Sequence, residues 1–241
     1  LDSVEEDRIC TVGVNMGFGG LIYGASEMKK QADVDGKPIA WITAARCGDE
    51  RLADMVPKAA KKGNFVWLLD ATANDPVHAV SLAKANPQNA FGLLADPAAL
   101  DDACVNALTA CRNLVVMPLL QTPELTAEAC RAARRLKAQK MFYALTVLVD
   151  DDTVDEVTQD DWLESIAQET LFCMCARKPG ISAESSHKLR RSIVDGRMET
   201  GKPVLLLDWD GDVNYLNNRI SEHMTFGSVL AEGETFPLQL G

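Results

Sequence analysis

A train of short apolar runs, most of them followed by a polar, helix-forming stretch, constrains this chain more than any single residue does. The eight runs fall at 9–15, 38–44, 65–71, 90–96, 114–120, 141–149, 170–176 and 203–208. Uninterrupted apolar runs of this length suit strands covered on both faces, the condition of a parallel sheet walled by helices. Eight strand–helix units is also the number that closes a barrel. The expected fold is therefore α/β: a TIM-like parallel (β/α) barrel, full or partial, in a single domain. Residues 1–209 form the barrel in this reading, and 210–241 are a C-terminal tail packing on the barrel or on a partner.

The stretches between runs carry helix signals. Asp75-Pro76, Asp96-Pro97 and Thr122-Pro123 each set a capping residue before a proline at the first helical position. Thr158 with Asp161 offers a further capping box. Over 52–62, Leu52, Met55, Val56 and Ala59 share one face while Lys58, Lys61 and Lys62 point outward. Over 124–139, Leu125, Ala129, Ala132, Ala133 and Leu136 make a similar stripe. The acidic run 150–156 reads as a solvated loop, and 217–224 as at most a short helix.

A formal net charge of −11 argues against a nucleic-acid surface, which needs a concentrated basic stripe. No apolar run approaches the ~20 residues that span a bilayer, so no membrane partner is expected. The seven cysteines are odd in number and mostly fall in apolar runs or helix faces, as reduced core thiols do. The expected location is cytoplasmic.

Barrel chemistry gathers where strands end at their C-termini. Reading those ends gives Asn15, Arg46, Cys47, Glu50, Asp70, Asn74, Asp96, Gln121, Arg177, Lys178, Asp208 and Asp210. Asp70, Lys178, Asp208 and Asp210 are the candidates for acid–base or nucleophilic work. Asn15, Arg46, Gly48, Glu50, Asn74 and Arg177 are the candidates for holding a ligand, and no metal site is assigned. The glycines at 17, 19 and 20 read as a tight turn, without the spacing of a dinucleotide fingerprint. The aspartates at 208, 210 and 212 lack the glycine and glutamate of a helix–loop–helix calcium site. Cys173 and Cys175 share one strand face and read as packed thiols.

Three segments together resemble the radical SAM superfamily of full or partial (β/α) barrels. Residues 39–52, with Cys47-Gly48-Asp49-Glu50, look like its second strand and the Gly-Gly-Glu-Pro turn that meets the methionyl amine of S-adenosylmethionine. Residues 61–74 look like its third strand, and 202–213 with Phe226-Gly227 like a late strand and the turn after it. The family holds a [4Fe–4S] cluster with three cysteines after its first strand. Here residues 15–24, which stand at that loop, contain no cysteine, and Asp49 replaces the second glycine of the turn. The resemblance thus implies a barrel without the cluster, and no [4Fe–4S] cofactor is expected. The leading functional reading is a non-catalytic domain binding a small molecule or a protein partner. A lyase, aldolase or hydrolase using rim carboxylates with a Lys or Arg stands beside it. So does a structural subunit of a larger assembly, and the sequence leaves an oligomer open.

Overall fold

A computed structural model describes residues 4–198, 204–222 and 226–240. It holds one parallel sheet: β1 (Ile42–Arg46), β2 (Val66–Ala71), β3 (Ala90–Ala95), β4 (Leu114–Leu120), β5 (Leu145–Val149), β6 (Phe172–Arg177), β7 (Leu205–Asp208) and β8 (Gly227–Val229). The spatial order is β7-β6-β5-β4-β3-β2-β1-β8, all parallel. Helices Leu52–Ala60, His78–Ala85, Asp102–Leu108, Ala127–Ala138, Asp160–Glu169 and Ala183–Met198 connect successive strands. This is a TIM-like α/β barrel, as the rhythm of apolar runs predicts.

The pleat sends alternate side chains to two separate cores. Ile42, Ala44, Val66, Leu68, Leu94, Met117, Leu119, Leu148, Met174 and Ala176 fill the inside of the curved sheet. Ala45, Leu69, Leu93, Val116, Val147, Cys173, Cys175 and Leu206 face the helix layer. Gly92 belongs inside, where a Cβ would come 2.8 Å from Leu68 and 3.2 Å from Met117. Its neighbours use the space that a side chain would take.

Two expectations fail at the ends of the chain. The run at 9–15 is not a strand: it lies in one continuous helix, Glu6–Asp35, whose middle, Val14–Gly24, has π-helical pairing. The missing strand is supplied instead by β8, from a region where no strand was expected, and it pairs with β1. Apolar runs alone do not separate a buried strand from a helix segment. Helix 6–35 also corrects the expectation that no segment reaches membrane length, since its length and composition are enough to cross one. Smaller corrections concern caps. Asp96 caps the short turn Pro97–Ala99 as predicted, but Asp75 accepts the Val77 N–H in the turn ahead of His78–Ala85, a helix that no side chain caps. Thr126 rather than Thr122 caps Ala127–Ala138, and no side chain caps Asp160–Glu169.

No ladder joins β7 to β8 among the described residues. In its place the Trp209 and Phe226 rings stack with centroids 5.2 Å apart. The short β8 also leaves the Ile42 N–H without a strand partner, and the fully buried Asn217 accepts it at 3.1 Å. The other end of the barrel is crossed by helix 6–35. The Glu5 N–H reaches Lys140 O (2.9 Å), Arg8 reaches Thr109 O (2.8 Å) and Asn15 Nδ2 reaches Pro87 O (2.8 Å) and Asn89 O (2.9 Å). These acceptors lie on segments leading into β5, β4 and β3, so the helix lies across the N-terminal ends of the strands.

Gly24 and Gly63 let the helix come down on the barrel. A Cβ at Gly24 would stand 2.4 Å from Gly63 O, and Gly63 itself has φ +94°. Gly17, on the same helix, has nothing within 4 Å of a built Cβ. Gly24→Ala is therefore expected to lower unfolding stability by about 1–3 kcal/mol through overpacking. Gly17→Ala is expected to match or exceed the parent, because alanine favours helix over glycine. Urea unfolding of the two variants side by side checks this, and equal losses would contradict the close approach.

Candidate functional site

The C-terminal strand ends separate into two groups according to the face each side chain occupies. Arg46 follows Ile42 and Ala44 in the inward alternation, and Asp70 follows Val66 and Leu68. Arg46 and Asp70 form an ion pair at the mouth, with Asp70 wholly buried. Asp70 also accepts the Thr72 hydroxyl (2.6 Å) and N–H (2.9 Å), while Arg46 Nε lies 3.6 Å from Glu234. Across the mouth, Lys178 Nζ donates to Asp150 at 2.7 Å. With Thr153 helping, Lys178 pulls the Asp150 carboxyl down to a pKa of about 2.

Arg177 and Asp208 belong to the other face. Arg177 alternates with Cys173 and Cys175, and Asp208 with Leu206, so both point toward helix Ala183–Met198. Arg177 Nη1 bonds Asp208 and also Asp210 (2.8 Å), and its Nε donates to Ser186 Oγ (2.6 Å). Arg190 reaches Asp212 (2.8 Å) and Asp208 (3.3 Å), and Arg197 pairs with Asp212 and donates to Leu206 O (2.9 Å). Three carboxylates and three guanidiniums thus neutralise each other between sheet and helix. A Cβ on Gly211 would fall 2.3 Å from Arg190 Nη1 and 2.4 Å from Asp208 Oδ2, so a side chain here would have to displace that ion pair. Burial by itself would raise the Asp208 and Asp212 carboxyls, but the arginine hydrogen bonds outweigh it and hold both below their ordinary range.

The remaining candidates are scattered. Asn15 is at the opposite end of the barrel, so its expected place at a strand's C-terminal end is corrected. Gly48 (φ +87°) packs against the His78 ring, with Glu50 exposed beside it, along a cleft of about 510 Å³ outside the mouth. Asn74 is half-buried in the turn after β2, its N–H bonded to Ala71 O (3.3 Å). Asp96 is exposed and caps the next turn by accepting the Ala98 N–H. Gln121 is exposed on a second cleft, of about 440 Å³, which Thr72, Asp96, Thr122 and Glu124 also line. That cleft opens where β2, β3 and β4 end. The acidic run is less free than its composition suggests: Asp151 accepts from Ser182, and Asp155 pairs with Lys188.

Sequence reasoning missed Thr72, Asp150, Glu234, Arg190 and Arg197 as partners. Thr72 had a local signal, two residues after an aspartate in a turn. The others come from distant segments and had none. The tail contributes more than Glu234: Leu238 is buried in the inner core, Phe236 and Leu240 pack against it, and Trp209 Nε1 donates to Gln239 O (2.7 Å).

The cysteines do not make the donor set that a cluster needs. Cys47, Cys104, Cys111, Cys173 and Cys175 are buried and face the helix layer, and Cys10 is exposed on helix 6–35. Burial pushes the Cys47 thiol up to about 12 and the Cys104 thiol to about 11. Cluster iron is held by thiolates, so these residues do not fit the group. Among the described residues, no three His, Cys, Asp or Glu side chains converge as a metal site.

No protein-family model matches the chain, and no curated protein does. Solved structures do match. SuiB of Streptococcus suis superposes with a TM-score of 0.58 at 8% identity over 76% of this chain and 53% of that one. Its S-adenosylmethionine-bound form gives 0.58 at 9% over 76% and 51%. An HpcH/HpaI aldolase from Desulfitobacterium hafniense DCB-2 gives 0.44 at 15% over 83% and 89%. The chain spans about half the length of the SuiB chains. At this identity the likeness to SuiB shows the barrel fold and nothing finer.

Each depressed carboxylate stabilises the fold above its unfolded pKa, near 3.9, and that contribution is lost as pH falls through the folded value. Stability should therefore fall between about pH 4 and pH 2, and Asp208→Asn should flatten the slope. Asp208→Ala leaves the buried Arg177 only Asp210 and Ser186 and is expected to cost about 1.5–3 kcal/mol, the worth of a charged hydrogen bond. Urea unfolding across this pH range checks both. A wild-type slope kept by Asp208→Asn would remove the arginine network from the account.

Thiol labelling gives a second check. A maleimide should modify Cys10 in the folded protein and reach Cys47, Cys104 and Cys173 only after unfolding, as mass mapping would show.

Proposed function

We propose that this chain is a non-catalytic barrel domain of radical-SAM-like fold that binds a small polar ligand at the rim of the mouth. The observation that carries the reading is the commitment of the charged strand ends to one another. Arg46 is engaged by Asp70 and Glu234, Lys178 by Asp150, and Arg177 by Asp208 and Asp210. A general acid or base must meet a substrate proton, and these groups meet protein partners instead. The lyase, aldolase or hydrolase reading needs Asp70, Lys178, Asp208 and Asp210 to face one space. Asp208 lies on the other side of the sheet.

The cleft over β2–β4 is the ligand site in this proposal. Its polar lining is hydroxyls, the Gln121 amide and the carboxylates of Asp96, Glu124 and Glu128, with no lysine or arginine. Such a lining favours a hydroxylated ligand bearing an amine over an anion. The match to S-adenosylmethionine-bound SuiB supports the reading at the level of architecture.

Anaerobic reconstitution with iron and sulfide, followed by metal analysis and a thermal-shift series, tests this. The expected outcome is no stoichiometric iron and sulfide, with midpoints raised by amino sugars or amino polyols and unmoved by sugar phosphates. Glu124→Gln should reduce that shift. A protein that retains a cluster and cleaves S-adenosylmethionine would overturn the proposal.

A further inference from the structure

Helix 6–35 presents an apolar face that none of the other described residues covers. From residue 9 to residue 26 there is no charged side chain. The barrel buries Val12, Asn15, Gly20 and Gly24 of this stretch. On the outer side Val14, Phe18, Leu21, Ile22 and Tyr23 stand in solvent, with Phe18 63% and Ile22 65% exposed. Side chains of this size lose the most by facing water, and a contiguous group of them marks an interaction surface.

Helix 6–35 itself carries acids, Glu6, Glu27 (paired with Lys30), Asp33 and Asp35, beside Lys29 and Lys30, but the segments it lies across are mainly basic. The segments leading into β1–β5 carry Lys37, Lys61, Lys62, Lys84, Lys137 and Lys140, all exposed. In the segments leading into β1–β6 the carboxylate is Glu169, which Arg134 holds at 2.7 Å. Asp35, at the helix end, is paired with Lys62 (2.8 Å), and at the helix start Glu5 and Asp7 are met by Arg8 and Arg112. The segments leaving the strands are acidic instead, with Asp49, Glu50, Asp75, Asp96, Glu124 and Asp150 among them. Acids at helix starts and bases at helix ends suit the helix dipoles. The consequence is a chain of net charge −11 that nevertheless sets six exposed lysines on the segments around this apolar helix face.

We infer that this end of the barrel docks on an anionic phospholipid surface, with helix 6–35 lying in the plane of the interface. An apolar helix face rimmed by lysines is the pattern of interfacial binding, in which buried side chains and attraction to anionic headgroups act together. Asn15, Arg8 and the Gly24–Gly63 approach fasten the helix to the barrel, so it lies on the bilayer and does not cross it. A second copy suits the face less well. Five side chains exposing on the order of 100 Å² each give roughly 500 Å², short of the ~800 Å² per partner of a stable interface. A two-fold contact would also bring the same lysine rims together. This docking goes beyond the ligand site and is independent of it, and it turns the mouth toward water.

Sedimentation of the full chain with phosphatidylcholine vesicles, with and without phosphatidylglycerol, tests the inference. The protein should pellet with the anionic vesicles and stay in solution with the neutral ones. A Phe18→Ser, Ile22→Ser double variant should bind at least tenfold more weakly while keeping its thermal midpoint. Lys61→Gln with Lys140→Gln should weaken binding mainly at low salt, and Phe18→Trp should shift its emission to the blue on binding. Failure to bind anionic vesicles overturns the inference, and so does unchanged binding by the double variant. A dimer that the double variant abolishes, in a protein that ignores vesicles, would assign the face to a second copy.

Discussion

The structure depends on strands buried on both faces. A strand with two buried sides must divide its side chains between two cores, and the division is set by whether a position is odd or even. That parity decides more than packing here. It places Arg46 and Asp70 inside the barrel, and it turns Arg177 and Asp208 toward the helices. Two arginines that look alike at the ends of their strands thereby acquire different surroundings.

Charge follows the same partition. On the helix side, Asp208, Asp210 and Asp212 meet Arg177, Arg190 and Arg197 in a partly dry space, where each charge is tolerable only because it is paired. At the mouth, Arg46 and Lys178 are paired with carboxylates from neighbouring strand ends and from the tail. The same tail brings Leu238 into the inner core and meets Trp209 through Gln239. The mouth is thus bounded by the chain's own side chains, and open space lies beside it, over β2–β4. At the far end helix 6–35 lies across the strands, so the two ends of the barrel differ in shape and in their balance of charge.

Seven of the eight strands were legible because a doubly buried strand needs a continuous apolar run, which composition reveals directly. The failure at 9–15 is instructive. Its residues are as apolar as those of a strand, but the stretch that follows keeps its glycines in helical backbone, and the glycine-rich turn expected there does not form. β8 was invisible for the opposite reason: three residues, Gly227 to Val229, are too few to make a run. Among site candidates, the Asp70 turn was readable from Thr72 close by. The partners Glu234 and Arg197 were not, because their contacts join segments far apart in the chain.

By itself, then, the sequence determined the class of fold, the order of its units, the cap at Asp96, and the lack of a cysteine triplet in residues 15–24. These are local properties, set by side-chain size, polarity and backbone preference within a few residues. Only the tertiary structure decided which face each strand end uses, which charges meet, that the strand beside β1 comes from the end of the chain, and that a helix crosses the barrel. Those outcomes depend on how strands register and curl around a shared core, and no short window of sequence contains that geometry.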